Sequence, residues 1–162
     1  MARGEITLAA TGSGIPTQVL TDFIGEGGYS RSELGWSSVD RYSNNGVAAI
    51  AGPAYGTKYR WDLSFYYVES ISLAVGAMLK WCEADKSRVL TLTDENSYLD
   101  PEPTPHSRTL VQALTPAGYT GSWQYGHGIF SVRPAVTDEH RSPAGSINGQ
   151  WGELLVVSFQ EV

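Results

Sequence analysis

From Lys58 to Val68 the chain alternates strictly. Tyr59, Trp61, Leu63, Phe65 and Tyr67 share one parity, and Arg60, Asp62, Ser64 and Tyr66 share the other. Successive side chains of a strand point to opposite faces, so this segment predicts a β-strand with an aromatic buried face. A different period follows at once. Ile71, Val75, Met78, Leu79 and Cys82 fall at i, i+4, i+7, i+8 and i+11, the spacing of one buried helical face. Leu73, Ala74 and Ala77 are expected to widen that stripe, with Trp81 at its edge. Glu69-Ser70 supplies an acidic first turn and a capping hydroxyl, and the helix is placed at about 70–85. Gly76 in its interior costs about 1 kcal/mol relative to alanine and points to close packing on a sheet.

The flanking sequence adds strands. Glu5 to Ala10 and Thr17 to Ile24 read as short strands around the turn cluster Thr11 to Pro16. Gly25 to Asn45 has little pattern but carries Tyr29, Leu34, Trp36, Val39 and Tyr42, so it is read as an arm or loop that packs on this chain or a neighbour. Arg88 to Thr93 predicts a strand, with Leu90 and Leu92 on one face. Asp94 to Ser107 is read as a Pro-rich loop, stiffened by Pro101, Pro103 and Pro105 at alternate positions. Arg108 to Leu114 is a strand. Tyr119 to Tyr125 and Gly128 to Val136 are expected to form a hairpin through Gly126-His127, with a polar loop from Thr137 to Gly149. Trp151 to Val162, apolar on both parities at Leu154 to Val157, reads as a doubly buried central strand. The expected fold is mostly β (α+β), a β-sandwich or split barrel flanked by a single α-helix, with long loops and an N-terminal arm. Residues 1–58, which hold 10 of the 18 glycines, form that arm and the first strands of the same domain. Residues 59–162 form the core.

At 162 residues the chain is one domain with enough material for a core. Its net charge of -6 argues against phosphate neutralisation, hence against a nucleic-acid binder. Charged residues are only 17% of the chain, against about 25% in ordinary soluble proteins, which excludes a charge-rich disordered tail. Cys82 is the single cysteine, so an internal disulfide and a cysteine metal cluster are excluded. The start of the chain does not read as a signal peptide, and no apolar run is long enough to span a bilayer.

No constellation of catalytic residues stands out. His106, His127 and His140 lack metal-ligand spacing. Asp138-Glu139-His140 reads as a solvated loop, since a catalytic base needs a positioned partner. Asp94, Glu95, Asp100 and Glu102 read as a solvated acidic rim: their spacing fits no EF-hand, and the glycine of its sharp turn is missing. The glycine clusters do not open a phosphate-binding helix, and the Gly-x-Ser-x-Gly elbow is absent. The reading therefore assigns no catalytic residue, cofactor or metal. Trp36, Tyr98, Trp123 and Tyr125, placed in loops or hairpins, and the rod Pro101, Pro103, Pro105 are the candidate subunit contacts, because Trp and Tyr concentrate at interface centres.

Three segments carry a resemblance. They are the helix end Met78-Leu-Lys-Trp81, the strand Leu90-Thr-Leu-Thr-Asp94 and the final Phe159-Gln-Glu161. With the aromatic strand before them they resemble the small tail proteins of tailed bacteriophages, especially the distal-tail and tail-tube type at the tail tip or baseplate. The resemblance covers Tyr59 to Asp94 and the last dozen residues, and departs from the family between Tyr119 and Gly149. It implies a homo-oligomeric ring, usually six-fold, with sheets joined between subunits and with other tail proteins as partners. It also implies a virion location after synthesis in a host cytoplasm, with no membrane contact. An acidic lumen would let DNA pass without binding. The alternatives are a carbohydrate-binding β-sandwich stacking sugars on Trp36, Trp123 and Tyr125, another phage structural protein such as a tail terminator or capsid decoration, and an enzyme with dispersed residues.

Overall fold

A computed structural model of the chain describes residues 5–21, 23, 28–34, 39–42, 48–51, 58–101, 108–114, 123–135, 140–147 and 150–162. In chain order the elements are β1 (Ile6–Ala9), β2 (Gln18–Leu20), β3 (Tyr29–Glu33), β4 (Val39–Tyr42), β5 (Ala48–Ala51), β6 (Tyr59–Val68), α1 (Glu69–Ala84), β7 (Leu90–Pro101), β8 (Arg108–Leu114), β9 (Trp123–Pro134), β10 (His140–Ile147) and β11 (Gln150–Glu161). β4 and β5 pair with each other in a small separate sheet. All other strands join one antiparallel sheet in the order β2-β1-β7-β9-β11-β6-β3, with β8 beside β9 and β10 beside β11. Strand predominates among the described residues, which hold one helix, so the fold is β-rich α+β.

The sheet curls because its two ends are consecutive in sequence. β2 pairs with β1 at one end of the path. Phe23 then bridges to Phe65, and β3 pairs with β6 at the other end. The backbone N–H of Thr21 donates to the Tyr67 hydroxyl and ties the crossing point to β6. The curl encloses Ile6, Leu8, Leu20, Trp61, Leu63, Phe65, Leu90, Leu92, Phe130, Val132, Leu155 and Phe159, all without solvent exposure. Strands that alternate can close this way because each contributes every second side chain to the interior.

On its opposite side the sheet forks. β9 meets β11 only through Val132–Pro134 and Phe159–Glu161. Beyond that contact the two strands part. β9 takes β8 on the freed edge, and β11 takes β10. The result is one open, forked antiparallel sheet with one helix against it.

Two aromatic groups fill the interior. Trp61 lies 4.8 Å from Phe130, and Tyr59 lies 6.1 Å from each of them. Phe65 lies 4.6 Å from Tyr67 and 6.2 Å from Phe23, whose ring is 5.9 Å from Tyr29. Edge-on pairs of this kind add about 0.5–1.5 kcal/mol each beyond the area they bury.

α1 begins without a loop after β6 and buries Ser72, Val75, Gly76, Met78, Leu79 and Cys82 against the sheet. The buried stripe is narrower than the sequence suggests: Leu73 is 50% exposed, and Ala77 is exposed. The helix ends in a turn in which Asp85 accepts from the backbone and hydroxyl of Ser87. Those bonds hold the Asp85 carboxyl below its usual range. Arg88 reaches back to the Trp81 carbonyl at 2.9 Å and stacks over its ring. It thus supplies the cation that the last helical turn lacks. No helix among the described residues is long and apolar enough to cross a membrane.

Five segments differ from the sequence reading, the first being Gly25 to Asn45, expected as an arm or loop, which holds strands β3 and β4, with β3 paired to β6 in the main sheet. Asp94 to Pro101 is strand, not loop, although β7 shifts register between Asp94 and Tyr98. The expected hairpin at Gly126-His127 is the middle of one strand, β9. Both neighbours of β9 are irregular there: β7 shifts between Gly128 and Gly126, and β8 between Gly128 and His127. Glycines inside a strand mark bulges as readily as turns, and here they mark bulges. His140 to Ile147, expected as polar loop, is strand β10. Finally, β11 is central in its pairing but not buried on both faces: Leu155, Val157 and Phe159 point inward, while Val156 is 36% exposed.

The turn between β1 and β2 gives a clean prediction. Gly12 and Gly14 have φ of 83° and 77°, and a Cβ at either would meet nothing within 4 Å. Gly12→Ala should therefore destabilise by about 1 kcal/mol through backbone strain alone, read as a shift of the urea midpoint at unchanged slope. A stabilised Gly12→Ala would contradict the turn geometry.

Candidate functional site

Alternation along β7 dictates what happens at Asp94. Leu90 and Leu92 point into the core, so the next residue of that parity must point inward too. That residue is an aspartate, and it is completely buried. A buried carboxylate is tolerated only when its lone pairs are filled. Here Oδ2 accepts from the Tyr29 hydroxyl at 2.8 Å, from Arg31 Nη1 at 3.0 Å and from the Trp61 indole N–H at 2.8 Å. Oδ1 accepts from the Asn96 backbone N–H at 2.9 Å and from its side-chain amide at 2.8 Å. The Arg31 side chain is 15% exposed, donates also to the Asn96 carbonyl at 3.2 Å, and lies 5.3 Å over the Tyr59 ring.

The same contacts explain the bulge in β7. Asn96 gives its N–H to Asp94 in an Asx turn, so that group is withdrawn from the ladder. Glu95 turns its N–H to the Glu5 carbonyl instead. One aspartate therefore bends its own strand and clasps two others. Tyr29 and Arg31 belong to β3, at the far end of the sheet path from β7's side, and Trp61 belongs to β6. The clasp closes the curl.

A second buried acid follows the same rule. Leu155, Val157 and Phe159 point inward along β11, and Glu161 is next in parity. It is 2% exposed, and its Oε2 accepts the Tyr59 backbone N–H at 3.0 Å. On the outer face Asp62 accepts from Arg60 at 2.9 Å and from the Ser158 hydroxyl. Burial alone would raise the Asp62 carboxyl, but those hydrogen bonds and the Arg60 charge outweigh it and lower the carboxyl below its usual range.

The Asp94 cluster has the composition of an active site but not the chemistry of one. A carboxylate has about four lone-pair positions, and five donated bonds leave none directed at a substrate. Tyr29 is also locked as a donor. Burial and then the Asp94 charge raise its hydroxyl far above the ordinary tyrosine value, with Arg31 only partly opposing them. Among the described residues no group of three or more His, Cys, Asp or Glu is placed to hold a metal ion. The cluster is built to hold strands together.

A pH test follows from Tyr29. A raised folded value for a group that ionises to an anion means the folded state resists that ionisation. Its contribution is complete below the unfolded tyrosine value, near 10, and is lost as pH rises toward the folded value. The stability of the protein should therefore fall steeply above about pH 10. Tyr29→Phe should be less stable at neutral pH and show a shallower alkaline fall. Equal alkaline slopes in urea titrations of the two proteins would remove Tyr29 from this role.

The sequence-predicted contact residues lie elsewhere. Tyr98 and Pro101 are in β7, and Trp123 and Tyr125 are in β9. The register sets Tyr98 opposite Gly126, Leu99 opposite Tyr125, and Pro101 opposite Trp123, so these four positions share one short stretch of ribbon. Trp36, Pro103 and Pro105 lie outside the described residues, as do His106, Glu102 and the Asp138-Glu139 pair. Asp94, expected on a solvated acidic rim, is the most buried acid among the described residues. Tyr29, Arg31, Asn96 and Glu161 were not singled out as site residues. The available signal was parity: both Asp94 and Glu161 extend an inward alternation by one step.

Comparison of the chain with protein-family models, with curated proteins and with solved structures finds no match.

Proposed function

We propose that the chain is a non-enzymatic structural protein of a bacteriophage tail, assembling as a homo-oligomeric ring at the tip or baseplate and joining the tail tube to distal components. The observation that carries this reading is the forked sheet. β8 pairs only with β9 and β10 only with β11 among the described residues, so each offers one edge of unused backbone donors and acceptors. Edges of this kind accept a further strand. The two differ. β10 contains Pro143, which has no N–H, and a register shift at that point. β8 reads Arg-Thr-Leu-Val-Gln-Ala-Leu, with one charge and no proline. β8 is thus the less protected edge of the fork, and two unlike edges at the fork, beside those at β2 and β3, suit a head-to-tail contact that closes a ring. Support also comes from the place of the two buried acids. Asp94 and Glu161 end the two strand motifs on which the resemblance to tail proteins rests, and both are inward anchors of the core.

The test is native mass by light scattering, with electron microscopy of the same sample, on the full chain and on Gln112→Lys. A ring that dissociates to folded monomer when a charge is added to β8 supports the reading. A monomer at every concentration, alone and with tail partners, argues against it.

One observation favours a second reading, a carbohydrate-binding module. The positions of Trp123 and Tyr125 stand two residues apart on β9 and share one parity of the strand, and neighbouring aromatics are the usual stacking surface for sugar rings. Tryptophan fluorescence that changes with a glycan panel, and no longer does in Trp123→Ala, would move the assignment there.

A further inference from the structure

Past the end of α1 there is an open, largely apolar pocket of about 230 Å³, lined by Cys82, Glu83, Lys86, Arg133 and Pro134. It takes no part in the Asp94 cluster, and its Arg133 and Pro134 belong to the short β9–β11 contact at which the sheet forks. Arg133 donates its Nε to the Arg88 carbonyl at 3.2 Å, which sets the plane of its guanidinium. Its terminal nitrogens have no partner among the described residues, and neither does the Lys86 ammonium. The other charges here are matched: Lys80 with Glu83 at 2.9 Å, and Arg88 with Asp85 at 3.7 Å. Arg88 also answers the helix C-terminus through the Trp81 carbonyl. Two cations thus border an apolar pocket, Arg133, whose charge also acts on Asp85, and Lys86, which has no ion pair among the described residues, on a chain whose net charge is -6.

We propose that this pocket binds a carboxylate carried on a short apolar stem. The guanidinium offers a planar pair of donors that fits a carboxylate edge-on. Lys86 adds a second charge to the lining, and Cys82 with Pro134 gives the stem an apolar wall. Burial pushes the Cys82 thiol up, the nearby arginines opposing it only in part, so the wall is neutral and does not repel an anion. A phosphate is the poorer fit. It has no apolar part to bury, and its extra charge meets Glu83 at the rim. The carboxylate belongs either to a free small organic acid or to an acidic side chain of a second copy of this chain. The inference stands independently of the tail reading.

The experiment is a titration with butyrate, followed by amide NMR, with 1-butanol and inorganic phosphate in parallel. Butyrate should shift the resonances of Cys82 to Lys86 and of Arg133 and its neighbours, saturably and at millimolar concentration. Arg133→Gln should weaken the response about tenfold. Lys86→Gln, at an exposed position and so without risk to folding, should weaken it severalfold. Native mass is measured in the same samples. If butyrate lowers it, the natural occupant is a second copy. If the shifts occur at constant mass, the occupant is a free acid. Shifts absent, equal for phosphate and butyrate, or unchanged in both variants would overturn the proposal.

Discussion

Asp94→Ala should lower the unfolding free energy by about 3–5 kcal/mol, the range found when one member of a buried ion pair is removed. For a chain of this length that corresponds to a fall in Tm on the order of 10 °C. The size follows from what is left behind. Arg31, 15% exposed, loses the carboxylate at 3.0 Å, and Tyr29, Trp61 and Asn96 each lose an acceptor. The effect should also be local. Asn96 would regain freedom to pair with β9, and β3 would lose its hold on β7, so hydrogen exchange should accelerate most in Tyr29–Glu33 and around Asp94 to Tyr98. Asp94→Asn separates charge from shape, because it keeps the volume and one acceptor oxygen. It should recover part of the loss, and a double-mutant cycle with Arg31→Met should show coupling of about 0.5–3 kcal/mol. An Asp94→Ala protein within 1 kcal/mol of the parent, or a cycle without coupling, would mean that the strands are held by packing alone.

The reason sequence reading missed this residue is instructive. Local pattern was sufficient for β6 and α1, where period two changes to period 3.6 without a break and the observed elements, Tyr59–Val68 and Glu69–Ala84, fall close to the expected ones. It was also sufficient for the β-rich class, because each short alternating run needs a sheet to bury its apolar side. It failed where two signals compete. After Leu90 and Leu92 the parity asks for an inward residue at position 94, while Asp, Glu, Asn and Ser ask for a loop. In the folded chain parity prevails over composition there, because the Asp94 carboxylate finds donors in the core. The same conflict arose at Gly126 and Gly128, where turn chemistry was preferred to a bulged strand. The partners of Asp94 were beyond any local signal. Tyr29 and Arg31 lie 65 and 63 residues away, inside a stretch with no periodicity. Only the curl of the sheet brings them to β7, and a single sequence carries no trace of a contact made by curvature. The pocket beside Cys82 was illegible for the same reason, since Arg133 comes from β9 and Lys86 from the turn after the helix.

Trp61→Ala should be the most damaging single change in the core, at about 3–5 kcal/mol for the side chain removed. Trp61 is fully buried, lies against Phe130 and Tyr59, and also donates to Asp94 at 2.8 Å. It therefore joins the apolar core to the polar clasp, and the two contributions can be separated. Trp61→Phe keeps most of the ring packing and removes the donor. It should cost less than Trp61→Ala, about 1–3 kcal/mol for the bond lost at a buried charged acceptor, plus the smaller void. If the clasp is one cooperative unit, Trp61→Phe and Asp94→Asn will not add, because each weakens the same oxygen's environment. Near-UV circular dichroism supplies an independent readout, since a buried indole held among fixed rings contributes to that signal. The Asp94→Ala protein should retain secondary structure but lose part of this band, as the indole loses its acceptor. Additive losses together with an unchanged band would separate Trp61 from the clasp. The closing of the sheet would then rest on the aromatic interior, with Asp94 merely accommodated beside it.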